Sequence, residues 1–445
     1  MSSSTNKTTY LIVGSGVFGA STALHLVKSS GPLPKVILLD RDHFSAPRRV
    51  AASWDWNKVI RSDYASSPLS TKLALEAQQL WRTDPLFSPY YHECGSYWAS
   101  HSDFRDVADR NMKEGGMETG GKVYAVDEAR LLYKGVFKDG NYSQVNGVLV
   151  NTKSGYAEAK EALEATIEEA VRLGVTYLTG EVASLLFEGD DRLRCSGVRL
   201  DDGTAIEADK VILSTGAYTA KLLMDSAPHN PEIHAGDRIL AVGVTEGLSV
   251  LTPEGAKGVR MEELPVAVND NPRGKGFEVG CQPFPKLNSF KYWGNMLFRN
   301  TITHPLTGIA ISAPPAGPDY SQYVVTPVLE RDVLSAPRSI FGPGMAEYSV
   351  KEQIFRVCWD AVTPTRDFVI APHSGADGLF IATCGSFHGF KFLPVIGKYV
   401  VEMLSGELDP ALQQKWAWDR EVTGDYGGKD FIAEYRSFVP EVMST

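Results

Sequence analysis

The amino-acid sequence predicts an α/β fold joined to a second domain built on an antiparallel β-sheet. Near the start of the chain, an apolar run at residues 9–13 leads into a glycine-rich turn, a helix-forming segment and a second apolar run at residues 36–39. Another apolar run, within residues 208–214, also ends in small residues. Strands that alternate with helices in this way indicate a parallel sheet. Residues 226–350 are richer in Pro and Gly and contain only short strand candidates, which favours an antiparallel sheet.

The composition is that of a folded, acidic protein. The chain has 445 residues, of which 43% are hydrophobic and 22% charged, so it contains enough apolar material to bury a core. At about 100–200 residues per domain, this length predicts two or three domains. With 44 Lys and Arg against 54 Asp and Glu, the net charge is −10. That balance argues against nucleic acid or an anionic membrane as the main partner.

No targeting or membrane-spanning pattern is visible. No uninterrupted apolar run approaches the roughly 18 residues of a spanning helix. The polar first ten residues do not resemble a secretory signal, which needs a basic segment followed by an apolar stretch. The final residues, EVMST, are not of the Ser-Lys-Leu peroxisomal type. We therefore expect a cytoplasmic protein that does not insert into a membrane.

The five cysteines are widely scattered. They form no CxxC motif, and no histidines accompany them at zinc-site spacing, so we expect no metal site. An odd number without a secretion signal fits a reducing compartment. From the sequence alone, each is interpreted as a small buried apolar residue. They are Cys94, Cys195, Cys281, Cys358 and Cys384.

The glycine-rich turn has the spacing of a dinucleotide-binding motif. Gly14 permits the tight turn out of the strand, and Gly16 lets the backbone approach a pyrophosphate. Gly19 lets the following helix pack closely on the strand, and the helix N-terminus offers free N–H groups to phosphates. Asp40, 21 residues past Gly19, ends the second strand and is placed to accept hydrogen bonds from ribose hydroxyls. GxGxxG alone is weak evidence, but the complete order of elements is strong; it does not separate FAD from NAD.

Further elements follow from periodicity. Apolar residues spaced four apart predict an amphipathic helix over residues 158–173, which ends at Gly174. A hairpin is expected at residues 201–203. Strands are predicted at residues 175–178, 181–187, 208–214, 238–244, 276–279, 290–292 and 296–298.

Three segments, taken in order, resemble one known family. They are residues 55–64 (DWNKVIRSDY), residues 356–360 (RVCWD) and residues 385–397 (GSFHGFKFLPVIG). Together with the first glycine turn and residues 209–218, they resemble the monomeric sarcosine oxidase and fructosyl amino acid oxidase (amadoriase) family of FAD-dependent amine oxidases, which includes fungal saccharopine and pipecolate oxidases. The resemblance touches the beginning, middle and end of the chain, and it is weak only in the middle domain.

This resemblance implies a Rossmann-type FAD-binding domain of the glutathione-reductase-like or D-amino-acid-oxidase-like class, with an antiparallel substrate domain. We place the discontinuous FAD-binding domain at residues 1–88, 150–225 and 355–445. The substrate domain is then formed by residues 89–149 and 226–354. The expected protein is a monomer whose partners are a small amine and O2.

The implied reaction is the oxidation of a secondary amine in an amino-acid-derived substrate. Such a substrate is an N-methyl or N-alkyl amino acid, saccharopine, pipecolate or a fructosyl amino acid. Hydride passes to flavin N5, O2 is reduced to H2O2, and the imine product hydrolyses. Two alternatives stay open: a biosynthetic oxidase whose imine is trapped by cyclisation, and a flavin dehydrogenase that passes electrons to a protein partner.

The resemblance also implies a set of cofactor-binding residues. In the family, a cysteine at the position of Cys358 is bonded to the 8α-methyl carbon of the flavin, and nearby cations should assist by favouring the thiolate. The residues expected to bind FAD are Gly14, Gly16, Val17, Phe18, Gly19, Asp40, Lys58, Val182, Gly216, Cys358, His388, Gly389 and Lys391. For His388, a structural hydrogen-bonding role is equally consistent with the sequence.

Candidate substrate and catalytic residues cluster around residues 55–64. Lys58, Arg61 and Tyr64 are spaced three apart and would share the face of a helix; read alone, they form a solvated basic face. The resemblance instead places Arg61 and Lys391 on the substrate carboxylate and Lys58 over the flavin. Asp55 would hold a cationic amine.

Lys291 resembles the lysine that lies over the flavin and speeds oxygen reduction. A fixed positive charge in a dry site stabilises superoxide. The alternative is a surface lysine on an edge strand, where lysine is common. Four tryptophans are candidates for the pocket wall, although core packing explains them equally: Trp54, Trp56, Trp293 and Trp359. Departures from the family pattern at Tyr292-Trp293, Asn295 and Trp359-Asp360 leave the identity of the substrate open.

Overall fold

The fold is described from a computed structural model. It describes residues 7–29, 34–65, 67–101, 103–114, 120–143, 145–189, 193–257, 260–270, 278–317, 320–344, 349–421 and 432–435. The helices are α1 Val17–Lys28, α2 Pro68–Thr83, α3 Phe104–Glu114, α4 Val126–Ala129, α5 Ala159–Arg172, α6 Thr219–Ser226, α7 Pro253–Ala256, α8 Pro327–Val333, α9 Ser335–Phe341, α10 Ile396–Ser405 and α11 Pro410–Trp416.

The strands alternate with the helices in the first half of the chain and dominate the second half. They are β1 Thr9–Val13, β2 Lys35–Asp40, β3 Lys58–Ile60, β4 Tyr91–His92, β5 Ser96–Ser100, β6 Gly121–Tyr124, β7 Gly147–Asn151, β8 Gly155–Ala157, β9 Thr176–Thr179, β10 Val182–Glu188, β11 Arg194–Leu200, β12 Ala205–Glu207, β13 Lys210–Leu213, β14 Leu240–Leu251, β15 Val266–Asp270, β16 Val279–Phe284, β17 Ser289–Thr303, β18 Ala310–Ser312, β19 Val350–Val362, β20 Val369–Pro372, β21 Leu379–Thr383 and β22 Ile432–Tyr435.

A six-stranded sheet, in the order β20-β21-β13-β1-β2-β9, forms the first layer. Its strands pair in parallel from β21 to β9, and only β20 is antiparallel. Helices α1, α5 and α10 bury their apolar sides in the core on one face of this sheet. The near-continuous apolar runs seen in the sequence are therefore strands covered on both faces.

The first βαβ unit folds as its glycines require. Gly14 has a φ of +96°, a conformation that L side chains rarely adopt, and its N–H donates to Leu39 O at 2.7 Å. A Cβ at Gly19 would collide with the carbonyl oxygen of Gly14 and approach Ile12 Cγ2 at 3.2 Å. The helix therefore starts directly above the strand end, and Asp40 closes β2 beside it.

A ten-stranded sheet forms the second layer. Its main path is β19-β14-β17-β16-β15-β5-β7-β6, with β18 and β22 paired to β17. The pairs among β19, β14, β17 and β16 are antiparallel, as expected for the middle region, whereas β15 and β5 run parallel. Strands β14, β17 and β19 are 12–15 residues long, and β14 pairs with the other two.

The structure corrects one strand prediction and decides two interpretations that the sequence left open. Lys58 does not begin a helix: residues 58–60 form β3, which pairs with β8, because the β-branched Val59-Ile60 pack in a small three-stranded sheet. The two short strands predicted at 290–292 and 296–298 are one strand, β17. Lys291 lies on this internal strand, between β14 and β16, and not on an edge. Residues 276 and 277 of the strand predicted at 276–279 lie outside the described residues, and β16 begins at Val279.

The domain boundaries proposed from the sequence remain a prediction. All six strands of the first sheet come from the segments assigned to the FAD-binding domain. Strand β7 runs across the 149/150 boundary and β19 across the 354/355 boundary. Among the described residues, no helix has the length and apolar content needed to cross a bilayer.

The contact between Gly19 and the first turn predicts a measurable effect. Gly19→Ala should lower the free energy of unfolding by about 1–3 kcal/mol, because the added methyl group forces α1 away from β1. Chemical denaturation of the purified protein measures this change.

Gly344→Ala is the matched control, because a Cβ there meets no atom within 4 Å. Equal stability of the two variants would show that α1 does not depend on this close approach.

Candidate active site

A single long cavity of about 1410 Å³ lies where the two large sheets meet. One end is lined by the first glycine turn, with Gly14, Gly16 and Phe18, and by Asp40. The other end is lined by Arg61 and by side chains of the ten-stranded sheet. The volume exceeds the 300–1,000 Å³ of most small-molecule sites, as a cavity for a dinucleotide and a second ligand should.

The glycine end has the features of a dinucleotide cradle. A Cβ at Gly16 would approach Ser53 Oγ at 2.9 Å, so only a glycine leaves the backbone open at this point. The Ser214 hydroxyl faces the cavity and, among the described residues, has no hydrogen-bond partner. Asp40 Oδ2 accepts from Ser15 N at 2.6 Å and from Arg49 Nη2 at 3.0 Å, which holds the carboxylate at the end of β2.

A buried ion cluster forms the middle of the cavity wall. Asp55 Oδ2 lies 2.7 Å from Lys58 Nζ and 2.6 Å from Lys291 Nζ. Glu246 Oε1 lies 3.1 Å and 3.0 Å from the same two nitrogens, and its Oε2 lies 3.2 Å from Arg356 Nε. Three cations therefore share two carboxylates, leaving one net positive charge in a site of low solvent access.

Electrostatic coupling within this cluster fixes its charges. Burial acts to raise the pKa of Glu246, but the adjacent Lys291, Lys58 and Arg356 hold that pKa well below its ordinary value. The pKa values of Lys58 and Arg356 are raised: burial opposes their charge, and the carboxylates outweigh it. Glu246, Lys58 and Arg356 are therefore charged throughout the physiological pH range.

Cys358 lies beside this cluster, on β19 opposite Val244, and its side chain lines the cavity. Burial raises the pKa of its thiol to about 11. Lys58 and Arg356 lower that pKa and Glu246 raises it. The neighbouring cations therefore favour the thiolate, but burial outweighs them.

Arg61 and Lys391 meet around the Tyr64 side chain at the other end of the cavity. The Arg61 guanidinium lies 5.1 Å from the Tyr64 ring centroid and 4.6 Å from that of Trp98. Lys391 Nζ donates to Tyr64 Oη at 3.1 Å and to His388 O at 2.8 Å. Neither cation forms an ion pair with a carboxylate among the described residues. Two basic side chains that face a cavity and form no ion pair offer a site for an anionic group.

Comparison with known proteins identifies the family of this chain. Residues 9–403 match the family described as FAD dependent oxidoreductase, DAO. The chain belongs to this family. The α/β fold expected from the sequence is thereby confirmed, and so is the use of FAD by this oxidoreductase.

Individual proteins that are similar over nearly the whole chain support the same family. L-saccharopine oxidase of Schizosaccharomyces pombe is 28% identical over 92% of this chain and 93% of its own length. Amino acid oxidase imqH of Aspergillus flavus is 27% identical over 91% and 96% of the two chains. The crystal structure of fructosyl amine:oxygen oxidoreductase (Amadoriase I) from Aspergillus fumigatus superposes with a TM-score of 0.75, at 25% identity, over 97% of this chain and 94% of that one. The resemblance to the amadoriase family is thereby confirmed.

The FAD-dependent oxidoreductase keeps most of the expected residues at the cavity. The lining includes Gly14, Gly16, Val17, Phe18, Asp40, Lys58, Arg61, Val182, Gly216, Lys291, Cys358, His388, Gly389 and Lys391. Two expected residues are not in it. Gly19 acts through helix packing, and Asp55 is 1% exposed and lies behind Lys58 and Lys291 as their counter-ion. Asp55 is therefore not available for a substrate amine, because its charge is already used.

Three important residues were not recognised from the sequence. Glu246 is an isolated acid within the apolar strand β14, and Arg356 lies two residues before Cys358 on β19; register places them directly opposite each other. Glu278 also lines the cavity. Burial raises the pKa of its carboxyl to about 7, although the nearby Arg61 acts to lower that pKa. The signal for Glu246 was a charge in a strand-forming run, but its partners are distant in sequence.

The tryptophans divide between wall and core. Trp293 and Trp359 line the cavity, and so does Trp98, which the sequence did not single out. Trp293 Nε1 donates to Glu278 O at 2.8 Å, and Trp359 Nε1 donates to Tyr320 Oη at 2.8 Å. Trp54 is buried and Trp56 packs against a hydrophobic cluster, so these two belong to the core.

Glu246→Gln tests the ion cluster. Removing this charge leaves three buried cations with one carboxylate, so stability at pH 7 should fall by about 3–5 kcal/mol. The folded-state pKa of Glu246 is depressed, so its contribution is full above its ordinary pKa of 4.5 and is lost as pH falls through the lowered value. Denaturation curves across this range should show the wild type approaching the variant.

Glu263→Gln is the control, since Glu263 also pairs with two cations but at an exposed position. We expect little change in stability there. Similar losses in both variants would contradict the assignment of a structural role to the buried cluster.

Proposed function

We propose that this FAD-dependent oxidoreductase is an oxidase of secondary amines in amino-acid-derived substrates. The observation that carries the proposal is the pair Arg61 and Lys391, two basic side chains that line the cavity and form no ion pair among the described residues. A substrate carboxylate supplies the missing charge. Two relatives support the amine: one is named L-saccharopine oxidase and the other fructosyl amine:oxygen oxidoreductase.

The residues at the glycine end fit FAD. Gly14 and Gly16 leave room for a pyrophosphate, Asp40 closes β2 next to it, and Val182 and Gly216 line the same part of the cavity. We assign Cys358 to covalent attachment of the flavin. When bound, the flavin accepts a hydride from the carbon next to the amine nitrogen and passes the electrons to O2, giving H2O2.

The protein's own residues then have distinct tasks. Arg61 and Lys391 bind the carboxylate and orient the amine, which replaces a random encounter by a fixed geometry. Lys291 and Lys58 hold positive charge at the middle of the cavity, where Asp55 and Glu246 fix their positions. In this proposal Lys291 stabilises the negative charge that develops on oxygen. Hydrolysis of the imine needs only water.

The aromatic wall suggests a substrate larger than sarcosine. Trp98 and Trp293 line the cavity near Arg61, and Glu278 adds a carboxylate to the same region. A substrate with a second polar group, such as saccharopine, makes use of that region, whereas sarcosine leaves it to water. We therefore place saccharopine before sarcosine as a candidate substrate.

An anaerobic screen of the purified holoenzyme tests the function. L-saccharopine, L-pipecolate, sarcosine and fructosyl-valine are mixed with enzyme while the flavin absorbance is followed. At least one should bleach the flavin within seconds, and air should restore the colour with formation of H2O2. Piperidine, which is pipecolate without its carboxylate, is the matched control and should react at least 100-fold more slowly.

Two outcomes would contradict the proposal. Bleaching by piperidine as fast as by pipecolate would remove the role of the two cations. Persistent reduced flavin in air would instead favour a dehydrogenase that needs a protein acceptor.

Cys358→Ala tests the covalent bond. After precipitation in acid, the wild-type pellet should keep its yellow flavin, whereas the flavin of the variant should stay in the supernatant, because the only proposed tether is lost. Cys281→Ala is the control, since Cys281 is buried in a separate core cluster. Flavin that still pellets with the Cys358 variant would place the bond elsewhere.

A further inference from the structure

We propose that Lys391 is the proton acceptor for the substrate amine. Before the substrate binds, the Lys391 side chain is a neutral amine. It then takes the proton of the substrate ammonium and pairs, as a cation, with the substrate carboxylate. This inference rests on the proposed function. Only the neutral amine can release a hydride from its neighbouring carbon, whereas free amino acids carry an ammonium group at neutral pH. The site therefore needs a base within reach of the amine.

The hydrogen bonds around Lys391 fit a neutral side chain. Lys391 Nζ has two acceptors, Tyr64 Oη at 3.1 Å and His388 O at 2.8 Å. A neutral amine has two N–H donors and one lone pair. Both donors are used by these acceptors, so the lone pair faces the cavity. A protonated amine would direct its third N–H at the cavity without a carboxylate among the described residues.

The Arg366 carbonyl oxygen fixes the donors and acceptors in the hydrogen-bond chain that runs through His388 and Tyr64 to Lys391. His388 Nε2 faces the carbonyl oxygen of Arg366 at 2.8 Å, so it must carry the hydrogen, and Nδ1 is then an acceptor. Tyr64 Oη lies 3.0 Å from Nδ1 and donates to it. The tyrosine oxygen is therefore left to accept from Lys391. Every hydrogen in this chain is placed with a neutral histidine and a neutral lysine.

The charges that face Lys391 favour the same state. Burial lowers its pKa well below the ordinary value, and Arg61 lowers it further, while Glu278 acts in the opposite direction. Lys391 is 5% exposed. Burial also lowers the pKa of His388 to about 3, and the nearby Arg61 lowers it further, so this histidine stays neutral. The neighbouring tyrosine is not ionised, because burial raises the pKa of Tyr64.

The proposed step is balanced. One N–H bond of the substrate ammonium breaks and one N–H bond forms at Lys391 Nζ, so no charge enters or leaves the site. The new ammonium lies beside Arg61 and is compensated by the bound carboxylate. When the product leaves, Lys391 loses this carboxylate partner and returns the proton to water. Tyr64 and His388 act as positioning residues, because their hydrogen bonds direct the lone pair.

Competitive labelling of the holoenzyme tests the neutral lysine without any substrate. The enzyme is treated with a trace of acetic anhydride between about pH 6 and 10, and acetylation of each lysine is measured by mass spectrometry. The exposed Lys398, seven residues along the chain, is the internal reference. Lys391 should reach half of its maximal labelling at a pH at least two units below Lys398. The proposal would be overturned if Lys391 were labelled only at the same pH as Lys398 or a higher one, or if it were not labelled at all below pH 10.

Kinetics of Lys391→Arg test the catalytic consequence, with L-pipecolate and L-saccharopine as substrates. Arginine keeps the cation for the carboxylate but does not accept a proton. Flavin reduction at pH 7 should fall about 100-fold, in the range of a lost general base, and should recover about tenfold per pH unit as the substrate amine loses its proton in solution. Lys391→Met lacks the cation too, so its rate should be lower still, with the same rise as the substrate amine loses its proton.

Glu278→Gln separates Lys391 from the other candidate base in the cavity. We expect this variant to keep the acidic limb of the wild-type pH profile. Loss of that limb in Glu278→Gln, together with a wild-type profile in Lys391→Arg, would assign the proton to Glu278 and overturn the proposal. If no amine reduces the flavin, the proposed function fails, whereas the labelling result still decides the state of Lys391.

Discussion

The structure depends on one buried arrangement of charge, in which Asp55 and Glu246 hold Lys58, Lys291 and Arg356 within 2.6–3.2 Å. These side chains come from the segment around β3 and from β14, β17 and β19. The cluster therefore joins the small sheet to the three long strands of the ten-stranded sheet. Buried charges are tolerated only when they are paired. The need for mutual compensation therefore fixes the place of each strand relative to the cavity, and with it the positions of Cys358 and the two lysines.

The cavity separates two kinds of basic side chain. In the middle, the two lysines are paired with protein carboxylates, so they need no ligand. At the far end, Arg61 and Lys391 form no ion pair among the described residues and instead contact hydrogen-bond acceptors and ring faces. The first kind is complete without a ligand, and the second kind is completed by one. In the proposed function, this division lets one cavity favour both an anionic substrate group and a reaction that develops negative charge on oxygen.

Much of the fold was predictable because its signals are local. The turn at Gly14, the helix after it and the acid at the end of β2 follow from residues within one βαβ unit, and α5 follows from apolar spacing. The ion cluster was not predictable, since Glu246 meets Lys58 across 188 positions of sequence and only the strand register brings them together. For a related reason, Lys58, Arg61 and Tyr64 do not share the face of a helix. Their three-residue spacing is compatible with a helix, but residues 58–60 pair with β8 instead. Asp55 was given a role toward substrate because its two lysine partners could not be seen from the sequence.

The central claim is that a substrate carboxylate completes the Arg61–Lys391 pair in a cavity that also holds a flavin tethered at Cys358. A crystal structure of the holoenzyme with L-2-tetrahydrofuroate, a cyclic carboxylate whose ring oxygen replaces an oxidisable amine, tests this claim most directly. We expect density for the carboxylate within hydrogen-bond distance of both Arg61 and Lys391, with continuous density from Cys358 Sγ to the flavin. A carboxylate bound instead at Lys58 and Lys291, with Arg61 and Lys391 left to water, would contradict the account.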